Sequence, residues 1–444
     1  MGLTGAQMGA REWVFLLLGI LVFCSYQPLV YLGYGRGTNY EVSLLQIGLV
    51  VLIALSVRRI WEGRRELAKD KVVWLVGAFA LLSSISLLWT LNKTRGVLAA
   101  GLVWVVFLTM LTIRGMKDKK KLLVAFVKVL MVGAVASSIF AWWQVAGEAF
   151  GVGQAWTLLS DNYLSGLFGF ARPTGLAQEP QFFAAHLVFP VLLLMYRVLV
   201  GKVKRYEKWI LILLLATVVA TLSRGAILAV GAGVLILFVQ NRGKRREIGK
   251  ACLYGLAGSV LAFGMMGIAA QINNRNEVSA YTAIAKSLNQ FTLGVVKLPE
   301  TKTDRVSTEG YVEASTKERT TMSDLALKTI RSGLTTAVFG VGIGGAGFYY
   351  HNKYQCVESC INFNEYLDVA VEIGAVGLVI WACAMGGLFV KMKDRKYLRA
   401  VLAAYLVQWM FYAGYPNSLP VLVMIVVMYG MVLVGKERLE YESN

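Results

Sequence analysis

Residues 209–239 read WILILLLATVVATLSRGAILAVGAGVLILFV, so two apolar runs flank the segment Thr221-Leu222-Ser223-Arg224-Gly225. This pattern predicts two helices that cross a membrane as a hairpin, with Arg224 at the membrane surface. An arginine placed at the centre of a bilayer would cost about 2.5–3.5 kcal/mol or more. We therefore expect Arg224 to have a binding partner near the surface.

Comparable apolar segments recur along the whole chain, and many are long enough to cross the hydrocarbon core of a bilayer. The alternating segments that are typical of membrane β-barrels are absent. The fold class is therefore predicted as all-α, a polytopic protein in which residues 1–444 form a single integral membrane domain. The predicted spans, roughly a dozen by this length criterion, are 13–33, 42–57, 72–90, 97–113, 122–146, 178–196, 209–222, 226–240, 251–271, 363–390, 398–413 and 418–434.

The basic residues predict the orientation. Alternate short connections hold 26 Lys and Arg residues (58–71, 114–121, 197–208, 242–250 and 391–399), against 5 in the intervening ones. Basic connections stay in the cytoplasm, so both termini are predicted there. The net charge of +19 then reflects mainly the basic connections that set the membrane topology. We expect no nucleic-acid partner, because no basic stretch is interleaved with stacking aromatic residues.

This topology places a long polar segment, residues 272–362, outside the cytoplasm. Within it, residues 320–332 are predicted to form an amphipathic helix. Cys356 and Cys360 also lie there, and a disulfide and two free thiols are equally compatible with their positions. The chain has only 2 histidines, so we expect no metal site.

Arginines lie near the predicted outer membrane boundary at Arg172, Arg224, Arg319 and Arg331. A guanidinium group binds phosphate oxygens bidentately and keeps its charge at every accessible pH. The set therefore indicates a site for a phosphate-bearing lipid. Contact with ordinary headgroups is the alternative for an isolated arginine, but the short turn at Arg224 favours a dedicated site.

Several other polar residues accompany these arginines. Glu179 precedes an apolar helix, where it could either complement the helix dipole or act in catalysis. Asp368 and Glu372 lie inside an otherwise apolar run, and we expect them to pair with Arg172 or Arg224 rather than to react. His351 is a second candidate base, although a plain surface histidine is the alternative. Residues 340–347 are glycine-rich but lack a P-loop lysine, so they predict a close-packed re-entrant turn that lets the backbone approach the cavity.

In combination, these pieces resemble the O-antigen ligase and O-antigen polymerase (Wzy-type) superfamily of bacterial membrane glycosyltransferases, over roughly 165–390. The resemblance rests on the order and placement of the motifs. These are Ser223-Arg224-Gly225, Arg319 ahead of the outer helix, Phe339-Gly340-Val341-Gly342-Ile343-Gly344, Asn364-Glu365-Tyr366-Leu367, and then Glu372, Gly374, Gly377 and Leu378.

The resemblance implies transfer of a glycan from a polyprenyl-pyrophosphate (undecaprenyl-type) donor to a sugar hydroxyl, at the outer face of the bacterial cytoplasmic membrane. The pyrophosphate would be bound by Arg172, Arg224 and Arg319. The proton acceptor would be Glu179, His351 or Asp368, while Asn364, Tyr366 and Glu372 would hold the site in place. No cofactor or metal is expected, since arginines supply the positive charge.

Ligases of this superfamily typically carry a histidine directly before the motif asparagine, where this chain has Phe363. That departure favours a polymerase of O-antigen, capsule or exopolysaccharide over a ligase that acts on lipid A–core. A lipid-linked oligosaccharide flippase or transporter is the alternative of another class. A flippase needs charged residues along a path through the bilayer, whereas here the charged residues lie at its outer face. A chain-length regulator and a flippase are possible partners.

Overall fold

A computed structural model of the chain describes residues 8–27, 29–35, 38–67, 70–165, 169–273, 285, 309–357, 360–412 and 418–434. The described chain is almost entirely helical. Its first eleven helices are α1 (Ala10–Leu21), α2 (Leu44–Ala54), α3 (Val57–Leu67), α4 (Lys71–Ser86), α5 (Lys93–Gly115), α6 (Lys119–Ala149), α7 (Gln154–Thr157), α8 (Pro180–Leu199), α9 (Arg205–Ala220), α10 (Arg224–Gln240) and α11 (Arg245–Ile272).

The second part of the chain contributes α12 (Glu309–Ile330), α13 (Leu334–Phe339), α14 (Ala346–Tyr354), α15 (Glu365–Glu372), α16 (Gly374–Lys391), α17 (Lys396–Gln408) and α18 (Leu419–Leu433). The segment predicted as an amphipathic helix, 320–332, is helical as far as Ile330, as the last part of the longer α12. Most of the polar segment between α11 and α12 lies outside the described residues.

Five described helices, namely α5, α6, α8, α11 and α16, are long and apolar enough to cross a membrane. Each predicted span contains a helix, and the hairpin of α9 and α10 is among them. Helix α8 lies at the centre, because 94% of its most apolar stretch is buried inside the protein. It packs against α9, α10 and α17, so residues at its N-terminus lie among the loops at one end of the bundle.

The first predicted span, 13–33, is wrong beyond its first half. Helix α1 ends at Leu21, and β1 (Leu29–Gly35) then pairs with β2 (Thr38–Ser43) as an antiparallel hairpin. Pro28 lies between α1 and β1 in the sequence, and proline disfavours a helix that continues through it. The two strands contain three tyrosines and three β-branched residues, types that favour a strand.

The tenth predicted span, 363–390, is two helices instead of one. Helix α15 ends at Glu372, and α16 begins at Gly374, whose φ angle is +75°. A β-carbon at Gly374 would overlap the backbone carbonyl of Val338. Glycine is needed here both for the left-handed conformation and for the close approach of α13.

Candidate functional site

The turn between α9 and α10 is fixed by its own backbone and side chains. Leu222 adopts a left-handed conformation, with φ of +53°. Ser223 then caps α10, because its hydroxyl accepts a hydrogen bond from the backbone amide of Ala226 at 3.3 Å. Arg224 follows as the first residue of α10 and is half-buried. The short connection predicted between the two apolar runs is therefore a capped turn, and Arg224 directly follows it.

Gly225 brings a second segment against this turn. A β-carbon at Gly225 would lie 2.6 Å from Cβ of Phe411, which follows α17. Carbon atoms normally approach no closer than about 3.5 Å. Only glycine therefore allows this contact between the first turn of α10 and the segment after α17.

Arg172 is hydrogen-bonded to the same turn. Its Nε and Nη2 both donate to the carbonyl of Thr221, at 3.2 and 3.0 Å, and its guanidinium lies 5.9 Å from the ring centroid of Tyr163. The segment that carries Arg172 is held by Gln144 of α6, whose Oε1 accepts the backbone amide of Gly175 at 2.9 Å. Arg172 therefore lies beside the residues that present Arg224.

Arg319 of α12 contacts the segment that packs on Gly225. Its Nη1 donates to the carbonyl of Phe411 at 2.6 Å, and its Nη2 donates to Oε1 of Gln181 at 3.2 Å. Its guanidinium also lies 4.8 Å from the ring centroid of Phe363. Arg331, by contrast, lies beyond the end of α12, about 18 Å along the helix from Arg319 by the helical rise. We call Arg172, Arg224 and Arg319 the arginine group.

Glu179 is the carboxylate beside this group. It precedes α8 and makes no capping hydrogen bond to the helix with its side chain, but it accepts one from Nε2 of Gln181 at 2.6 Å. Gln181 thus bridges Glu179 and Arg319. Burial raises the pKa of Glu179, with Glu318 acting in the same direction, and the charges of Arg319 and Arg172 oppose the increase.

Asn364 and Tyr366 fasten α15 to the segment that ends in Phe411. The Asn364 side chain caps α15 by accepting two backbone N–H groups, at 3.0 and 3.1 Å, and donates to the carbonyl of Met410 at 3.4 Å. The Tyr366 hydroxyl donates to the carbonyl of Leu406 at 2.6 Å. Both residues therefore support the backbone whose carbonyl receives Arg319.

Asp368 has a different environment from the one that the sequence predicts. Its carboxylate accepts a hydrogen bond from Asn362 Nδ2 at 2.9 Å, and Asn362 in turn accepts from the hydroxyl of Tyr350 at 3.0 Å. The expected pairing of Asp368 with Arg172 or Arg224 is wrong, since the partner of this carboxylate among the described residues is the amide of Asn362. The residue is thus separate from the arginine group in its contacts.

Glu372 is also engaged elsewhere, and its expected pairing with an arginine of the group is wrong. It accepts the backbone amides of Gly344 and Ala346, at 2.8 and 3.3 Å. The carboxylate therefore holds the glycine-rich segment 340–347. That segment docks on the loop before α5, where Thr90 Oγ1 donates to the carbonyl of Ile343 at 3.0 Å. The close-packed turn predicted there is present, and Glu372 organises it.

His351 lies on the exposed surface of α14. Its Nδ1 is 2.8 Å from the carbonyl oxygen of Cys356, and Cys356 forms a disulfide with Cys360. Its described contacts join it to this disulfide loop and not to the arginine group. Within the described ranges, no group of three or more His, Cys, Asp or Glu residues could hold a metal ion.

Sequence reasoning did not identify Gln181 or Phe411. Gln181 is only two residues beyond Glu179, but its bridging contact depends on where α12 packs. Phe411 contributes a backbone carbonyl and a packing surface, and neither depends on a recognisable side-chain motif. Gly225 was the available signal, because glycine is common where two segments of the chain approach each other closely.

Comparison with protein families supports the motif-based resemblance. Residues 209–382 match the family model described as O-antigen ligase. The match includes Arg224 and Arg319, whereas Arg172 and Glu179 precede it. No curated protein matches the chain. Together with its long apolar helices, the match indicates a membrane protein that carries an O-antigen ligase family domain at residues 209–382.

Proposed function

We propose that this protein is a polymerase of a surface polysaccharide, an O-antigen, capsule or exopolysaccharide, that uses polyprenyl-pyrophosphate-linked glycan. The observation that carries the proposal is the arginine group next to the half-buried carboxyl of Glu179. Phosphate oxygens are the natural ligands of converging guanidinium groups. The family match to residues 209–382 supports a glycosyltransferase of the polysaccharide type.

In the proposed reaction, a hydroxyl of the acceptor sugar attacks the anomeric carbon of the donor glycan. The new glycosidic bond forms as the bond between that carbon and the pyrophosphate oxygen breaks. The electron pair leaves with the polyprenyl pyrophosphate, whose developing charge the arginine group stabilises. The proton of the attacking hydroxyl passes to Glu179, so charge and atoms balance.

Glu179 is the preferred proton acceptor among the three candidates. Its raised pKa brings it closer to the working pH, which makes it a stronger base than an ordinary carboxylate. It is also joined to Arg319 through Gln181. His351 and Asp368 contact the disulfide loop and Asn362 instead, so we assign them no part in proton transfer.

Phe363 favours a polymerase over a ligase. Ligases of this superfamily typically have a histidine at that position, whereas here the phenyl ring packs against Arg319 at 4.8 Å and offers no proton acceptor. The growing glycan would move from its carrier onto an incoming carrier-linked repeat unit. A ligase acting on lipid A–core or another acceptor is the second candidate, because the matched family is described by that name.

The cellular setting follows from the predicted topology. The protein would cross the bacterial inner membrane about twelve times by the length criterion, with both termini in the cytoplasm and the arginine group at the outer face. The carrier-linked repeat would reach that face through a separate flippase, and a chain-length regulator could limit the product. The chemistry would proceed without a metal ion.

Reconstitution in liposomes tests this proposal. Purified protein would receive labelled carrier-linked repeat units with no other acceptor. A polymerase produces multimers that remain attached to the carrier. Product that forms only when lipid A–core is added would instead support the ligase. Movement of the repeat across the bilayer without any sugar transfer would support the flippase.

A further inference from the structure

A second candidate binding site lies away from the arginine group, in a cavity between α6 and α9. The cavity has a volume of about 570 Å³. It opens near the N-terminal end of α9, where Ile210 lines it. Ile210 is about 16 Å along the helix from Thr221, by the helical rise, so this cavity is not part of the candidate active site.

One wall of the cavity is an apolar stripe on α6. It runs from Val124 to Ile139, about 22 Å of helix, which exceeds half the thickness of a bilayer core of about 30 Å. Val132 and Ile139, at 62% and 58% exposed, leave the stripe open to the surroundings. Such a surface suits an acyl chain lying along the helix.

The polar end of the cavity carries excess positive charge. Arg197 and Glu207 form a buried ion pair, with Nε and Oε2 3.0 Å apart. Glu207 also accepts the backbone amide of Lys204 at 2.8 Å, so its charge is already compensated. Lys128 and Lys204 line the same cavity and are exposed. Across the described chain, neither lysine side chain has a hydrogen-bond or ion-pair partner.

We propose that this cavity binds an anionic phospholipid, with its phosphate between Lys128 and Lys204 and an acyl chain along α6. Lys128 lies about 12 Å along α6 from Lys120, by the helical rise, and a lysine at that depth normally has a partner. The apolar wall favours a lipid over free phosphate. Exposed Tyr206 and Trp209, at 58% and 68%, are typical of the membrane interface at that level.

Native mass spectrometry of the full-length protein in detergent tests the proposal. Phosphatidylglycerol and phosphatidylcholine would be titrated separately and the bound lipid counted. We expect selective retention of phosphatidylglycerol. The double variant Lys128→Ala/Lys204→Ala should bind it about 30-fold more weakly, from the usual contribution of a lysine near anionic lipid. Lys250→Ala, on an exposed basic position of α11, is the matched control and should bind normally.

A second variant tests the acyl-chain wall without changing charge. Ala136 lines the cavity and is exposed, so Ala136→Trp should occupy the groove and weaken lipid binding while the fold is kept. Equal binding of both phospholipids by the unmodified protein would overturn the proposal, as would unchanged binding by the double variant. Preferential retention of a polyprenyl phosphate over phosphatidylglycerol would assign the groove to the carrier and also overturn it.

Discussion

Replacing Gly225 by alanine is expected to disable the site while the protein still folds. The new β-carbon would lie 2.6 Å from Cβ and 3.0 Å from Cγ of Phe411. Because carbon atoms prefer a separation of about 3.5–4.0 Å, the two segments must part by about 1 Å. Cβ of Phe411 is fixed to the backbone, so a change of rotamer cannot relieve the overlap.

This displacement moves two members of the arginine group. Arg224 is adjacent to the substituted residue, and Arg319 donates to the carbonyl of Phe411. A shift of about 1 Å in a positioned group typically costs about 100-fold in rate. The overlap itself should cost about 1–3 kcal/mol of stability, of which the better helix propensity of alanine offsets up to about 1 kcal/mol.

Gly231→Ala is the matched control, because it lies on the same helix and a β-carbon there would meet nothing within 4 Å. That variant should be fully active and slightly more stable, by about 0.5–1 kcal/mol. Initial rates of glycan transfer in liposomes, at equal amounts of folded protein, give the comparison. If Gly225→Ala and Gly231→Ala transfer at the same rate, the close contact with Phe411 does not position the site.

Three further outcomes are expected. Arg224→Lys and Arg319→Lys should each lose about 100-fold or more in transfer rate, because lysine keeps the charge but not the bidentate geometry; near-normal rates would show that charge alone suffices. Burial raises the pKa of Glu179, so kcat/KM should fall as the pH decreases through a pKa above the ordinary carboxylate value. Glu179→Gln should lose about 100-fold or more and abolish that acidic limb, and a limb that persists would assign it to another group. Transfer should continue in excess EDTA, and activity that disappears and returns with magnesium or manganese would contradict an arginine-only site.

The apolar runs predict most of the helices because burial in a membrane leaves a strong signal in composition. The turn at Arg224 is predicted for the same reason, since a charge between two apolar runs can lie only at a surface. The β1–β2 hairpin escaped prediction because residues 29–35 are as apolar as the helix before them. The break between α15 and α16 escaped because it depends on the approach of α13 to Gly374.

The site was only partly predictable. The residue types of Arg172, Arg319 and Glu179 indicate phosphate and proton chemistry, but their partners come from distant segments of the chain. Asp368 and Glu372 illustrate the difficulty, because their spacing indicates function without showing which groups they meet. Their partners, an asparagine and the amides of a glycine-rich turn, are determined by how residues 340–347 and Asn362 pack against α15.

Equilibrium binding of a labelled polyprenyl pyrophosphate to the purified protein would show whether the arginine group is the pyrophosphate site. We expect saturable binding that weakens about 10- to 100-fold in Arg224→Ala and in Arg319→Ala, the usual range for one charged hydrogen-bond partner. Lys250→Ala, which leaves the arginine group intact, should bind normally. Equal affinity in all four proteins would contradict the claim that the arginine group is the pyrophosphate site.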